Sequence, residues 1–158
     1  MASYRFSYGF TYIGLLLAIA MIGISMAVAA ELWQTTAQRE KEAELLFIGH
    51  QFRDAIEKYY KSDRGSGGFP EKLEDLLQDP NVDDPTRYLR KIYRDPMTGS
   101  QQWGLVRDED SGEIRGVFSL STGQPIKRSG FDKADVGFTD KLSYAEWKFI
   151  YNPDGDNP

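Results

Sequence analysis

No charged side chain occurs between Arg5 and Glu31, and the 21 residues from Phe10 to Ala30 (FTYIGLLLAIAMIGISMAVAA) form one apolar run. At about 1.5 Å per residue, a helix over this run covers roughly the 30 Å of a bilayer's hydrocarbon core. The run therefore predicts a helix of membrane-spanning length. Three uses stay open at this point: a secretory signal peptide, a plain membrane anchor, or a membrane helix that is also an assembly element. Ala27-Val28-Ala29 supplies the small-x-small pattern of a signal-peptidase site. A signal-peptide core is usually only about 7–15 residues long, however, which is shorter than this run.

Concentrating so much apolar character in one segment makes the remainder more polar than the average of 41% hydrophobic and 27% charged residues suggests. At 158 residues the chain suits one domain. Its net charge of -5 and pI near 4.9 argue against holding nucleic acid through an overall positive field. The absence of cysteine excludes disulfides, thiolate zinc sites, iron–sulfur clusters and a cysteine nucleophile, and identifies no compartment.

The apolar run begins in an unusual way, with a short leader, Met1 to Tyr8, followed by Gly9, Phe10 and Thr11. Gly9-Phe10-Thr11-Tyr12-Ile13-Gly14-Leu15-Leu16-Leu17-Ala18-Ile19-Ala20-Met21-Ile22-Gly23 resembles the N-terminal processing signal of type IV pilins and type II secretion pseudopilins. In that family a membrane aspartyl peptidase, the prepilin peptidase, cuts after the glycine and methylates the new terminal Phe. The resemblance thus implies cleavage between Gly9 and Phe10, N-methylation of Phe10, and a mature chain from Phe10 to Pro158. It further implies other pilin-like subunits, an inner-membrane assembly platform and membrane lipid as partners.

Gly14 departs from the family pattern, which usually has a glutamate at this position. That carboxylate is thought to pair within the membrane with a neighbouring subunit's free N-terminus. A charge in hydrocarbon is tolerated chiefly when paired, so its loss removes a register-setting ion pair. Within the family such a loss goes with a minor subunit at the fibre tip. Gly14 also has a simpler physical use. Gly14 with Ala18, Gly23 with Ala27, and Ser25 with Ala29 are small residues four apart, which let two membrane helices approach closely.

No proline occurs before Pro70, and residues 31–61 are rich in Ala, Glu, Gln, Lys and Leu, so the helix is expected to continue to about Lys61. Leu45, Ile48, Phe52, Ile56 and Tyr59 recur at spacings of three and four as one apolar stripe. Arg39, Glu40, Lys41, Glu42, Glu44, Arg53, Asp54, Glu57 and Lys58 are assigned to the opposite, polar face. His50, a lone histidine read as having no titratable partner nearby, is expected to be a surface or groove residue. Ser62-Asp63-Arg64-Gly65-Ser66-Gly67-Gly68 then breaks the helix.

Phe69 to Gln78 reads as a short helix with Pro70 at its first position, and Tyr88 to Tyr93 as one or two helical turns. Arg94-Asp95-Pro96-Met97-Thr98-Gly99 reads as a loop. Gln102–Arg107 and Ile114–Leu120 flank the charged turn Asp108–Glu113 and predict an antiparallel hairpin, and Trp147–Tyr151 predicts a third strand. Asp95-Pro96, Trp103-Gly104 and Ser119-Leu120-Ser121-Thr122-Gly123-Gln124 also resemble, in outline, landmarks of the major type II pseudopilin.

Major pseudopilins hold calcium near their last strand, and the matching segment here, Ser129 to Ser143, contains Asp132, Asp135 and Asp140. Three acidic residues on one loop permit calcium without diagnosing it, because six or more oxygens must converge on the ion. Solvated loop charge is the alternative reading, and Lys127, Arg128, Lys133 and Lys141 weaken the field. The sequence contains no phosphate loop, no HExxH and no GxSxG, and its single His precludes the common His-based metal sets.

The expected architecture is α+β and pilin-like: a leader at 1–9, a membrane and assembly helix at 10–30, its amphipathic half at 31–62, and a periplasmic part at 63–158 with a three-stranded antiparallel sheet. The expected role is a non-enzymatic structural subunit of a type II secretion pseudopilus or type IV pilus-like fibre, with the minor or capping position indicated by Gly14. The resemblance places it in the bacterial inner membrane with a cytoplasmic N-terminus. The alternatives are a single-pass membrane protein with a non-polymerising periplasmic binding domain, and a soluble protein released at Ala29 or Ala30.

Overall fold

A computed structural model describes residues 8–62, 68–77, 87–153 and 155, with the side chains of 8–11, 27, 28 and 30 excepted. One helix, α1 (Tyr8–Lys61), is followed by three strands, β1 (Gly104–Arg107), β2 (Ile114–Phe118) and β3 (Phe149–Ile150). The architecture is α+β, as the sequence predicts. The chain divides into two compact units, Met1–Gln38 and Arg39–Pro158, and α1 contributes to both.

In the first unit, α1 is continuous. Its residues lack proline, and the hydroxyls of Ser25, Thr35 and Thr36 bond back to the carbonyls of Met21, Glu31 and Leu32 one turn earlier. Large apolar side chains here, among them Tyr12, Leu15, Ile19, Ile22, Met26 and Trp33, are exposed.

In the second unit the apolar stripe of α1 becomes the floor of the core. Leu45, Ile48, Phe52, Ala55 and Ile56 are buried, together with Leu76, Ile114, Val117, Tyr144, Trp147 and Phe149. The helix closes at Ser62, whose N–H and hydroxyl both donate to the Tyr59 carbonyl, with Lys58 and Lys61 in the last turn where the helix dipole favours cations. Gly49 lies where the sheet meets the helix: a Cβ at that position would run into the ring of buried Phe149. A residue without a side chain is needed there despite its cost of about 1 kcal/mol in helix propensity.

The sheet is antiparallel in the order β1-β2-β3, with Leu105 opposite Val117 and Val117 opposite Phe149. A register shift interrupts the first pairing between Val106 and Arg107. The hairpin turn is closed by the Asp108 N–H donating to Glu113 O at 2.8 Å, and Gly112 supplies the positive φ of 73° that the turn requires. The strands are shorter than the expected Gln102–Arg107, Ile114–Leu120 and Trp147–Tyr151.

Two expected helices are not α-helical. Phe69–Gln78 reduces to one 3-10 turn, Leu73–Leu76, because the backbone on either side is engaged elsewhere. The Phe69 N–H donates to the Glu113 carboxylate, Pro70 O accepts from the Ile114 N–H, and Leu76 O accepts from the N–H groups of Tyr88 and Leu89. Tyr88–Tyr93 likewise forms no helical turns. The segment beyond Ser129, read as a loop, contains the 3-10 helices Lys133–Phe138 and Tyr144–Glu146. These deliver Phe138, Tyr144 and Trp147 to the core, with Phe138 and Trp147 stacked at 5.5 Å between ring centroids.

Candidate functional site

The first half of α1 is long and apolar enough to cross a membrane, by length and composition. Apart from the helix's own adjacent backbone, nothing lies within 4 Å of where a Cβ would stand at Gly14 and Gly23, and Ala18 is exposed, so these small residues lie open on the helix surface. Gly9 and Phe10 lie in the first turns of α1, but their side chains and that of Ala27 fall outside the described residues, as do residues 1–7 of the leader.

The second unit carries three polar constellations built from residues far apart in the chain. In the first, Glu42 is buried against the helix's own core stripe, three residues before Leu45, and so is not part of the polar face to which its charge assigns it. Its carboxylate accepts the Ile126 N–H at 2.5 Å, the Lys127 N–H at 3.2 Å and the Tyr144 hydroxyl at 2.8 Å. The arrangement ties the segment at Ile126 and Lys127 to the helix. Charge alone gives no sign of it, but position does: Glu42, Leu45, Gly49, Phe52 and Ile56 share one helix face.

The second constellation overturns the reading of His50 as a histidine without a titratable neighbour. His50 Nε2 lies 2.6 Å from Asp135 Oδ2, and Arg53 Nη1 donates to Asp135 Oδ1 and to Ala134 O, each at 2.9 Å. Burial pushes the Asp135 carboxyl up, but the hydrogen bonds and charges of His50 and Arg53 outweigh it and hold the group below the ordinary carboxylate range. Arg53, like Glu42, is drawn off the exposed face and is mostly covered.

Asp135 is therefore committed to two helix side chains, whereas Asp132 and Asp140, the other calcium candidates, are exposed. Among the described residues no group of three His, Cys, Asp or Glu side chains is arranged to hold a metal ion.

The third constellation joins two landmarks of the sequence. Buried Asp95 accepts from the Met97 N–H and the Thr98 hydroxyl at 2.9 Å, and from the hydroxyl of buried Ser119 at 2.7 Å. It fixes the Asp95–Gly99 turn and fastens it to the end of β2. The Trp103 indole N–H donates to Tyr93 O at 2.9 Å and anchors the same loop from its other side.

Asp108, in the hairpin turn, is held below the ordinary carboxylate range by the N–H groups of Ser111 and Asp110. All these carboxylates are spent on backbone donors, hydroxyls or cations within the fold. The arrangement suits fixing loops to a helix. Comparison with protein-family models, with curated proteins and with solved structures returns no match to this chain.

Proposed function

We propose that this chain is a structural subunit of a type II secretion pseudopilus or type IV pilus-like fibre, held in the inner membrane and assembled through the first half of α1. The observation that carries this reading is the division of labour along one helix. Residues 12–26 of α1 expose their apolar side chains, while residues 42–56 bury theirs under the sheet. A soluble protein has no use for the first of these surfaces, and a bilayer or a neighbouring helix does.

Supporting it is the Gly9-Phe10-Thr11 sequence at the start of the run, which resembles the family's processing signal. On this reading prepilin peptidase cuts after Gly9 and methylates Phe10, and the pairs Gly14 with Ala18 and Gly23 with Ala27, on opposite sides of the helix, provide close-approach surfaces toward other pilin-like subunits. Gly14, standing where the family has a glutamate, favours a minor or capping position. The protein has no catalytic task of its own: its polar constellations hold loops in place.

The intact mass of the protein isolated from membranes tests the reading. Loss of Met1 to Gly9 with the gain of one methyl group is expected. No loss points to a plain anchor, and loss of about 29 residues to a secreted soluble protein. The variant Gly9→Val is expected to retain the leader, because the peptidase must accommodate a residue without a side chain. Normal maturation of that variant refutes the family assignment.

A further inference from the structure

Tyr12 and Trp33 are 21 residues apart on α1. At about 1.5 Å per residue the two Cα atoms are separated along the helix axis by about 31 Å, close to the thickness of a bilayer's hydrocarbon core. Between them lie Ile19 and Met26, so that Tyr12, Ile19, Met26 and Trp33 follow one another at intervals of seven. An α-helix drifts only about 20° per seven residues, so these four side chains form one line down the helix.

All four are exposed, Tyr12 at 64% and Trp33 at 81%, the latter more than any other large apolar side chain described. Trp33 thus contributes nothing to the packing of its own chain. Its neighbourhood changes character within one turn: Ala29 and Ala30 precede it, whereas Glu31, Gln34, Thr35 and Thr36 surround it. An indole, with an apolar body and one N–H donor, suits the boundary between hydrocarbon and headgroups, and a phenol does likewise.

We propose that Tyr12 and Trp33 are the two interfacial anchors of α1, seated in the headgroup layers of opposite leaflets, with Ile19 and Met26 between them facing lipid. The inference rests on the reading of α1 as a membrane-spanning helix and adds the depth at which it sits and the face it turns to lipid. Gly14 and Ala18 lie on the side of the helix away from the Tyr12 line, whereas Gly23 lies beside it, so the lipid-facing line leaves the Gly14–Ala18 side free for a neighbouring helix.

The test uses the full chain in vesicles of phosphatidylcholine and phosphatidylglycerol, some carrying bromine at shallow and some at deep acyl positions. Trp103 and Trp147 are buried, so the difference between the parent and Trp33→Phe isolates the Trp33 emission. The expected result is a greater loss of that emission with shallow bromines than with deep ones. In Ile22→Trp on the Trp33→Phe background, the order should reverse, because position 22 lies midway between the anchors.

A chain retained after alkaline carbonate extraction whose Trp33 is quenched by neither lipid, or most by deep bromines, overturns the anchor assignment and leaves the spanning reading intact. Identical profiles at positions 22 and 33 do the same. Release of the chain by carbonate overturns the spanning reading, and the anchors with it.

Discussion

Truncation of Glu42 is the sharpest test of how the second unit is held together. Glu42→Ala removes the acceptor for three donors at once: the Ile126 and Lys127 N–H groups and the Tyr144 hydroxyl. Tyr144 is only 1% exposed, and a hydrogen bond from such a buried hydroxyl to a charged group is worth about 1.5–3 kcal/mol. The two backbone groups are partly buried, and water entering the vacated space satisfies them at about 1 kcal/mol between them. Relief of the carboxylate's own desolvation offsets part of the total, leaving a net destabilisation of about 2–3 kcal/mol.

With a urea dependence of about 1–3 kcal/mol per molar, the unfolding midpoint should fall by about 1–2 M. The assay is urea titration of the full chain in mild detergent, followed by the fluorescence of buried Trp147 and Trp103. Glu44→Ala, two residues away and exposed, is the control and should lie within about 0.5 kcal/mol of the parent. Tyr144→Phe removes only one of the three bonds and should cost less than Glu42→Ala. The double variant should be less destabilised than the sum of the two, because both act on the same bond. A Glu42→Ala midpoint equal to that of Glu44→Ala refutes the reasoning.

Three further outcomes are expected. Asp135, held below its ordinary pKa in the fold, contributes stability that is present above about 3.9, the value of the unfolded chain, and lost as pH falls through the depressed folded value. Asp135→Asn should therefore be less stable than the parent at pH 7, and the gap measured by urea titration should close below pH 4. Gly49→Ala, a change that ordinarily stabilises a helix by about 1 kcal/mol, should here destabilise by about 1–3 kcal/mol because of the Phe149 ring, with recovery in Gly49→Ala/Phe149→Leu. If the protein occupies a capping position, Gly14→Glu places an unpaired ionisable group in the membrane at roughly 2.5–3.5 kcal/mol and should reduce fibre incorporation in a pull-down of assembled fibres, whereas increased incorporation defeats the capping reading.

What the sequence makes legible is what repeats along it. The stripe from Leu45 to Tyr59 and the uncharged run before Glu31 announce the two surfaces of α1, and the hairpin shows itself through alternation around Asp108–Glu113. The failures occur where tertiary partners take over local backbone groups. Phe69–Gln78 has the composition of a helix, but the Pro70 carbonyl and the Phe69 N–H are engaged with Ile114 and Glu113.

The candidate polar sites are less legible still, because their members lie far apart. Asp135 reaches His50 across 85 residues, and Tyr144 reaches Glu42 across 102. Acidic residues clustered along one loop suggest convergence on an ion, yet Asp135 turns to the helix while Asp132 and Asp140 are exposed. Glu42 is legible from its place on the apolar face, where position outweighs charge.

On the proposed reading as a fibre subunit, the brevity of the outer strands has a consequence. β3 contains two residues, and the pairing of β1 is broken by a register shift at its end. Sheets with long, regular margins recruit strands from their neighbours, and crowding subunits along a filament would expose that tendency. Here neither margin offers a template long enough to extend. Copies drawn together through their N-terminal helices would meet as separate bodies, and the filament would remain capable of being taken apart into intact subunits.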